Sequence, residues 1–273
     1  MKKELDRIIR VIQQLNGTDI SVYDNSFLSR SIEKRLSVTQ CVSIDRYLEF
    51  LATNPEEAGL LCRSLIIQFS EFFRNPLTFS LLEQVVLPNL IQKKTSTRQK
   101  EIRIWSTACS AGQEAYSLAI IMEEILARSD NKLSYRIFAT DLFEAQLDEA
   151  RRGQFTEASL GQVTMKRLTR WFEKRGNIYN VQQSLRDHID FSVFDLLNPE
   201  RFSPPASIFG DFDLIFCANI FFYYKTVYRD IMIRKTGNCL APNGYLVTGE
   251  TEREILMNHN YQEICQQSAI FQV

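Results

Sequence analysis

The chain has no run approaching the roughly 18 apolar residues that would span a bilayer, and it carries almost no excess charge: its formal net charge is -1. The first absence argues against a transmembrane helix. The second removes the whole-protein field that would favour nucleic acid or a membrane surface. The opening Met1-Lys2-Lys3-Glu4-Leu5-Asp6 is charged where a secretory leader would be apolar, so no signal peptide is expected. None of the six cysteines (Cys41, Cys62, Cys109, Cys217, Cys239, Cys265) forms a Cys-x-x-Cys pair, so no zinc site and no metal are expected. Most lie in apolar runs and read as small buried hydrophobes of a cytoplasmic protein. Internal repeats and low-complexity tracts are absent as well. What remains is globular: 45% hydrophobic and 24% charged over 273 residues, enough for one large domain or a large and a small one.

The first ninety or so residues read as wholly helical. Leu5, Ile8, Ile9, Ile12 and Leu15, then Ile44, Tyr47, Leu48 and Leu51, recur at spacings of three and four. Asn16-Gly17-Thr18 and Asn54-Pro55 punctuate these helices, with Asn54 as N-cap and Pro55 at the first helical position. A further helix is expected over about 76–91. The polar, basic segment 92–100 then makes an exposed connection. Strands are expected at 101–107, 134–140, 188–194, 212–218 and 243–249, and helices at 112–128, 143–152, 164–174 and 226–240. Such alternation predicts a mostly parallel sheet covered on both faces. The region 176–194 interrupts it, with Ile178–Val181, Ser184-Leu185-Arg186 and Ile189-Asp190-Phe191 reading as short strands with tight turns, either a small antiparallel subdomain or a hairpin grafted on the sheet. Residues 268–273 read as a last strand.

Residues 101–141 carry the most information. Strand Ile102-Arg103-Ile104-Trp105 runs into the small residues Thr107 to Gly112. A helix bearing Glu114 follows, then a strand that ends on Asp141. Strand, small-residue turn, helix, strand, acid is the layout of a nucleotide-binding β-α-β unit. Small residues let a ligand approach the backbone, and an acid at the second strand's tip can hold a ribose diol, which predicts an adenosine-bearing cofactor. Glu114 fits a capping acid in a first helical turn, and Asp141 fits an N-cap; together they favour a binding role. Gly112 is the only glycine of its turn, so a dinucleotide-binding dehydrogenase is disfavoured. A third apolar strand, 213–218, ends on Asn219 near the same sheet edge, followed by Tyr223. In Ser70-Glu71-Phe72-Phe73-Arg74, two adjacent phenylalanines point to opposite sides and suit a junction between domains; Arg74 by spacing alone reads as a surface cation.

These blocks resemble, in order and spacing from about Tyr23 to Glu252, the CheR-type chemotaxis receptor methyltransferases. The matching runs are Ser70–Arg74, Trp105-Ser106 through Ser110-Ala111-Gly112-Gln113-Glu114-Ala115-Tyr116-Ser117, Thr140-Asp141, Phe216–Tyr224 and Gly249-Glu250-Thr251-Glu252. The resemblance implies an α/β fold. A Rossmann-like S-adenosylmethionine-dependent methyltransferase domain (91–273) would follow a small helical N-terminal domain with its linking helix (1–90). An inserted antiparallel β subdomain would lie at about 176–194. The implied activity is methyl transfer from S-adenosylmethionine to chemoreceptor glutamate carboxylates in chemotaxis adaptation, leaving S-adenosylhomocysteine.

By position, Glu114 and Asp141 would hold the cofactor's amino-acid and ribose portions beside Gly112. Asp195 and Leu196 would flank the adenine, and Ala218 and Asn219 would line the pocket. Gln68, Ser70 and Arg74 would close the site, with Arg74 and Tyr223 nearest the reacting methyl. The chain departs from the family pattern at Gln68, Ser70, Gln113, Asp195, Ala218 and Glu250. Ala218 replaces an arginine, which keeps open a regulatory module that binds cofactor without turnover, or a methyltransferase for a different carboxylate. Arg30, Lys34 and Arg35 fit a solvated helix face by spacing. The resemblance implies instead that they dock on an acidic receptor tip. The short turn at 174–177 favours recognition that does not need a receptor's tether peptide.

Overall fold

A computed structural model of the chain describes residues 2–66, 69–97, 100–129 and 133–272, with Lys2 described by its backbone alone. The chain divides into two compact units, Met1–Ile67 with Phe221–Asp230, and Gln68–Ile220 with Ile231–Val273.

The first unit carries helices α1 (Lys2–Asn16), α2 (Asn25–Thr39), α3 (Ile44–Thr53) and α4 (Pro55–Ser64). Most of the predicted stripe on α1 is its packed face: Leu5, Ile8, Ile9 and Ile12 are buried while Leu15 is 40% exposed, and α1 packs on α3 and α4, where Tyr47, Leu51, Ala58 and Leu61 are buried. Pro55 opens α4 as expected, but Asn54 makes no side-chain cap; its amide donates to the Phe50 carbonyl and closes α3 instead. Inside this unit the buried Glu57 carboxylate accepts Arg35 Nε and Nη2, at 2.8 and 2.6 Å, and the Tyr47 hydroxyl at 2.8 Å. Segment 221–230 joins it through Tyr23 and Tyr224, paired as an isolated bridge with rings 5.0 Å apart.

The second unit begins with the helix expected at 76–91. It forms as α5 (Pro76–Leu81), a π turn (Leu82–Val86) and α6 (Leu87–Thr95). Pro88 lacks an N–H and crowds the carbonyl four residues back, and the wider turn relieves both. In chain order there follow β1 (Glu101–Ser106), α7 (Gln113–Leu126), β2 (Ser134–Asp141), α8 (Glu144–Arg152), β3 (Gln154–Thr156), α9 (Met165–Trp171), β4 (Phe172–Arg175), β5 (Ile178–Val181), α10 (Gln183–Arg186), β6 (Ile189–Val193), β7 (Phe212–Phe216), α11 (Thr226–Cys239, which starts in the first unit), β8 (Leu240–Val247), α12 (Arg253–Met257), β9 (Gln262–Glu263) and β10 (Ile270–Gln272).

The main sheet has the order β6-β2-β1-β7-β8-β10-β9. Strands β6, β2, β1, β7 and β8 pair in parallel, and β10 and β9 close the edge antiparallel. From β1 the chain winds one way through β2 to β6 and the other through β7 to β8. The crevice at the strands' carboxyl ends is where such sheets bind ligands. The core lies against this sheet, with Trp105, Phe138, Phe212 and Phe216 buried.

The antiparallel insert is present but starts earlier than the sequence reading places it. Its order is β3-β5-β4, from residues 154–181, while β6 belongs to the main sheet and 183–186 is a helical turn rather than a strand. The helix expected to reach 174 stops at Trp171, where Phe172 turns its ring edge-on to Phe72, 5.5 Å away. Leu185 is wholly buried from the helical turn. The adjacent phenylalanines do face apart, yet both pack within this second unit: Phe72 on Phe155 and Phe172, Phe73 on Phe79. Among the described residues, no helix is long and apolar enough to cross a membrane.

Candidate active site

The small-residue turn after β1 is pinned across its neighbours. Thr107 N–H donates to the Phe216 carbonyl at 3.0 Å and Cys109 N–H to the Thr140 carbonyl at 2.9 Å. Ser110, at φ +48°, turns its amide onto Asp141 Oδ2 at 2.9 Å and its hydroxyl onto Gln146 Oε1 at 3.0 Å. Gly112 sits at φ +89°, where a Cβ would meet Ala150 Cβ at 3.0 Å and Tyr116 Cε2 at 3.2 Å. Both the left-handed backbone and the close approach therefore require glycine.

Asp141 is not the N-cap residue of α8, which is Phe143, but its Oδ1 accepts the Phe143 amide at 3.0 Å. Burial raises its pKa, and the amides of Phe143 and Ser110 pull it back. Glu114, half-buried in the first turn of α7, accepts the Ser106 hydroxyl on Oε1 at 2.6 Å. Loss of water pushes its carboxyl up to about 8, against the opposing pull of that hydroxyl and of the Arg74 charge. Two carboxyls held above their ordinary range at a sheet's carboxyl edge mark a candidate ligand site.

Of the other predicted residues of the second unit, Asp195, Leu196, Ala218 and Asn219 follow strands that end at this edge. Phe194 N–H donates to the Asp141 carbonyl at 3.0 Å, so the segment with Asp195 and Leu196 leaves β6 beside Asp141. Asp195 Oδ1 caps its own turn through Leu197 N–H at 2.8 Å, and Leu196 is buried. Past β7, half-buried Ala218 packs on the core and Asn219 adopts φ +61°. Arg74 is half-buried, with its guanidinium 5.0 Å from the Phe69 ring centre, and Ser70 is half-buried in the same segment. Gln68 lies outside the described residues. Tyr223 belongs to the first unit, where its carbonyl accepts Asp24 N–H at 2.8 Å and its ring lies 4.8 Å from Phe27. Arg30 and Lys34 are exposed on α2, whereas Arg35 is committed to Glu57 and is not available as a free surface cation.

Sequence reasoning missed the anchor of Asn219. Wholly buried Glu252 accepts, on Oε2, the amides of Asn219 at 2.6 Å and Gly249 at 3.1 Å and the Thr248 hydroxyl at 3.0 Å. A glycine followed three residues later by Glu is capping-box spacing, and that signal was available. The Gln113 side-chain carbonyl, buried at the start of α7, has no hydrogen-bond partner among the described residues. Glu114 and Asp141 present carboxylate acceptors at the sheet edge, which suits a cofactor bearing an ammonium and a ribose diol. Among the described residues, no group of three or more His, Cys, Asp and Glu is placed to hold a metal ion.

The CheR methyltransferase SAM-binding domain matches residues 68–270, and the CheR all-alpha domain matches residues 3–66. The chain belongs to the CheR methyltransferase family. It is 35% identical over 198 residues to chemotaxis protein methyltransferase 1 of Pseudomonas aeruginosa, covering 71% of this chain and 69% of that one. It is 27% identical to the chemotaxis protein methyltransferase of Escherichia coli, over 90% of this chain and 82% of that one. A 104.1 kDa protein of Rhodobacter capsulatus is 28% identical over 98% of this chain, which spans 27% of that protein's length. CheR membership places Glu114, Asp141 and Asn219 within the matched SAM-binding domain.

Proposed function

We propose that the chain transfers a methyl group from S-adenosylmethionine to glutamate carboxylates of cytoplasmic chemoreceptor domains, forming glutamyl methyl esters. The observation that carries this reading is Glu114, a carboxyl short of water beside Arg74, on the sheet edge it shares with Asp141. An ammonium arriving there would restore the charged form of Glu114. Asp141 would take the ribose diol, Asp195 and Leu196 the adenine, and Gly112, Ala218 and Asn219 the remaining walls. Ser70 and Arg74 would lie over the cofactor.

Bound in this way, the cofactor supplies a methyl already activated by its sulfonium. A glutamate carboxylate is ionised at neutral pH, so the chain need not furnish a general base. Its work is to align the attack and exclude water, and orientation alone can supply roughly 7–11 kcal/mol. Arg74 would hold one carboxylate oxygen through a single contact, since a bidentate grip would quench the nucleophile. The Tyr223 hydroxyl would orient the reacting groups. Exposed Arg30 and Lys34, one turn apart on α2, would meet an acidic receptor surface.

The test is methyl transfer from labelled S-adenosylmethionine to chemoreceptor-containing membranes, scored as volatile methanol after base treatment. Base-labile label that falls at least tenfold in Arg74→Ala, and less in Tyr223→Phe, is expected. Tight S-adenosylhomocysteine binding with no label on any receptor would favour a module that binds without turnover, the reading suggested by Ala218.

A further inference from the structure

Arg74 stands in an unusual stretch of backbone. Its neighbours Phe73 and Asn75 have φ of +50° and +62°, a region that residues with a Cβ rarely adopt. Such a conformation persists only where surrounding groups over-determine it. Two groups do so here. The Phe73 amide donates to Ser117 Oγ at 3.0 Å, and that hydroxyl donates to the Gln113 carbonyl at 2.7 Å, so its acceptor side is turned to Phe73. Ser117 is wholly buried. The Arg167 guanidinium lies 4.5 Å from the Phe73 ring centre. It is held by Glu124 at 2.9 and 3.1 Å and by Glu83 at 2.7 Å, and Trp171 donates to the second Glu124 oxygen at 3.2 Å.

We infer that Ser117 and Arg167 are positioning residues, which hold the Phe73–Asn75 turn from behind so that Arg74 keeps its place beside Glu114. This rests on the reading of Arg74 as the group that meets cofactor and substrate carboxylate. Ser117 and Glu114 stand three residues apart on α7, so one helix fixes both the carboxyl and the turn that bears the guanidinium. Arg167 acts on the ring face and ties the turn to α9 and to the π turn at Leu82–Val86. Ser117 is buried against the Phe73 amide and Arg167 is committed to Glu83 and Glu124, so each acts through the turn that bears Arg74.

Cycles pairing Ser117→Ala with Arg74→Ala test this, because two residues acting through one contact are not additive. Methyl transfer rate and the S-adenosylhomocysteine dissociation constant are measured for both single variants and the double variant. Ser117→Ala is expected to slow transfer about tenfold and weaken binding severalfold, yet to change either by less than twofold on the Arg74→Ala background. Arg167→Lys keeps the charge but cannot hold both carboxylates and cover the ring; it is expected to behave alike with a smaller loss, and it serves where Ser117→Ala folds poorly. Equal losses on both backgrounds, with a lowered Tm, would reduce both residues to core packing and overturn the inference. So would unchanged rates and affinities. If the wild-type chain methylates no receptor, the substrate reading fails, and the cycle in dissociation constants still decides this one.

Discussion

Burial keeps the Glu114 carboxyl neutral to about pH 8, against 4.5 for a free glutamate. The sign of the consequence is fixed by linkage. Below pH 4.5 the carboxyl is protonated folded or unfolded. As pH rises from there to 8, the unfolded chain releases this proton and the folded chain retains it, so stability falls across that window and levels off above it. Asp141, also raised, adds to the same trend. Glu114→Gln removes the titration while retaining an acceptor for Ser106. We expect the variant to be more stable than wild type at pH 8 and equal to it at pH 4, by urea unfolding at the two pH values. Its affinity for S-adenosylhomocysteine should drop at least tenfold. At this scale the sequence was informative about chemistry: an acid in a first helical turn and another at a strand tip are visible as residue types at a spacing. It said nothing of Arg35, whose exposure depends on where Glu57 packs, nor of the backbone at Phe73.

Elements decide how the site's loops are anchored. Asn219 at φ +61° is retained because Glu252, 33 residues on, accepts its backbone amide together with the Gly249 amide and the Thr248 hydroxyl. Gly249 itself has φ -73°, which any residue tolerates, but a Cβ there would run into the Asn219 side-chain nitrogen Nδ2 and reach Asn219 Cγ and Glu252 Oε2 at 3.0 Å. Gly249→Ala should therefore act through Asn219. We expect about a tenfold weaker S-adenosylhomocysteine dissociation constant by calorimetry, with a Tm change of only a few degrees. A large loss of Tm with unchanged affinity would contradict this. The periodic elements of the sheet were legible, because buried strands and amphipathic helices write their spacing into the chain. The insert was legible as a kind but not as a place. Trp171-Phe172 continues a helical pattern, and it is the pairing of Phe172 with Val181 of β5, with the Phe72 ring across from it, that makes Phe172 begin a strand.

Across the whole molecule, the helical unit is not one stretch of sequence. Residues 221–230 complete it: Lys225 N–H donates to the Val22 carbonyl at 3.0 Å, and the Tyr224 ring packs on Tyr23. Tyr224→Ala should destabilise that unit by about 3 kcal/mol, the cost of emptying a buried aromatic site. Hydrogen exchange should report it as faster exchange at Asp24 and Lys225 amides; exchange as slow as in wild type would refute it. Sequence alone determined the fold class, the family and most of the strand-tip residues, because hydrophobic period and short-range motif spacing are properties of neighbours along the chain. Tertiary structure alone decided the helical unit's second segment, the Glu252 anchor, the commitment of Arg35 and the buried ties behind Arg74. Each of these joins residues far apart in sequence, and their burial and pairing exist only once the chain has packed.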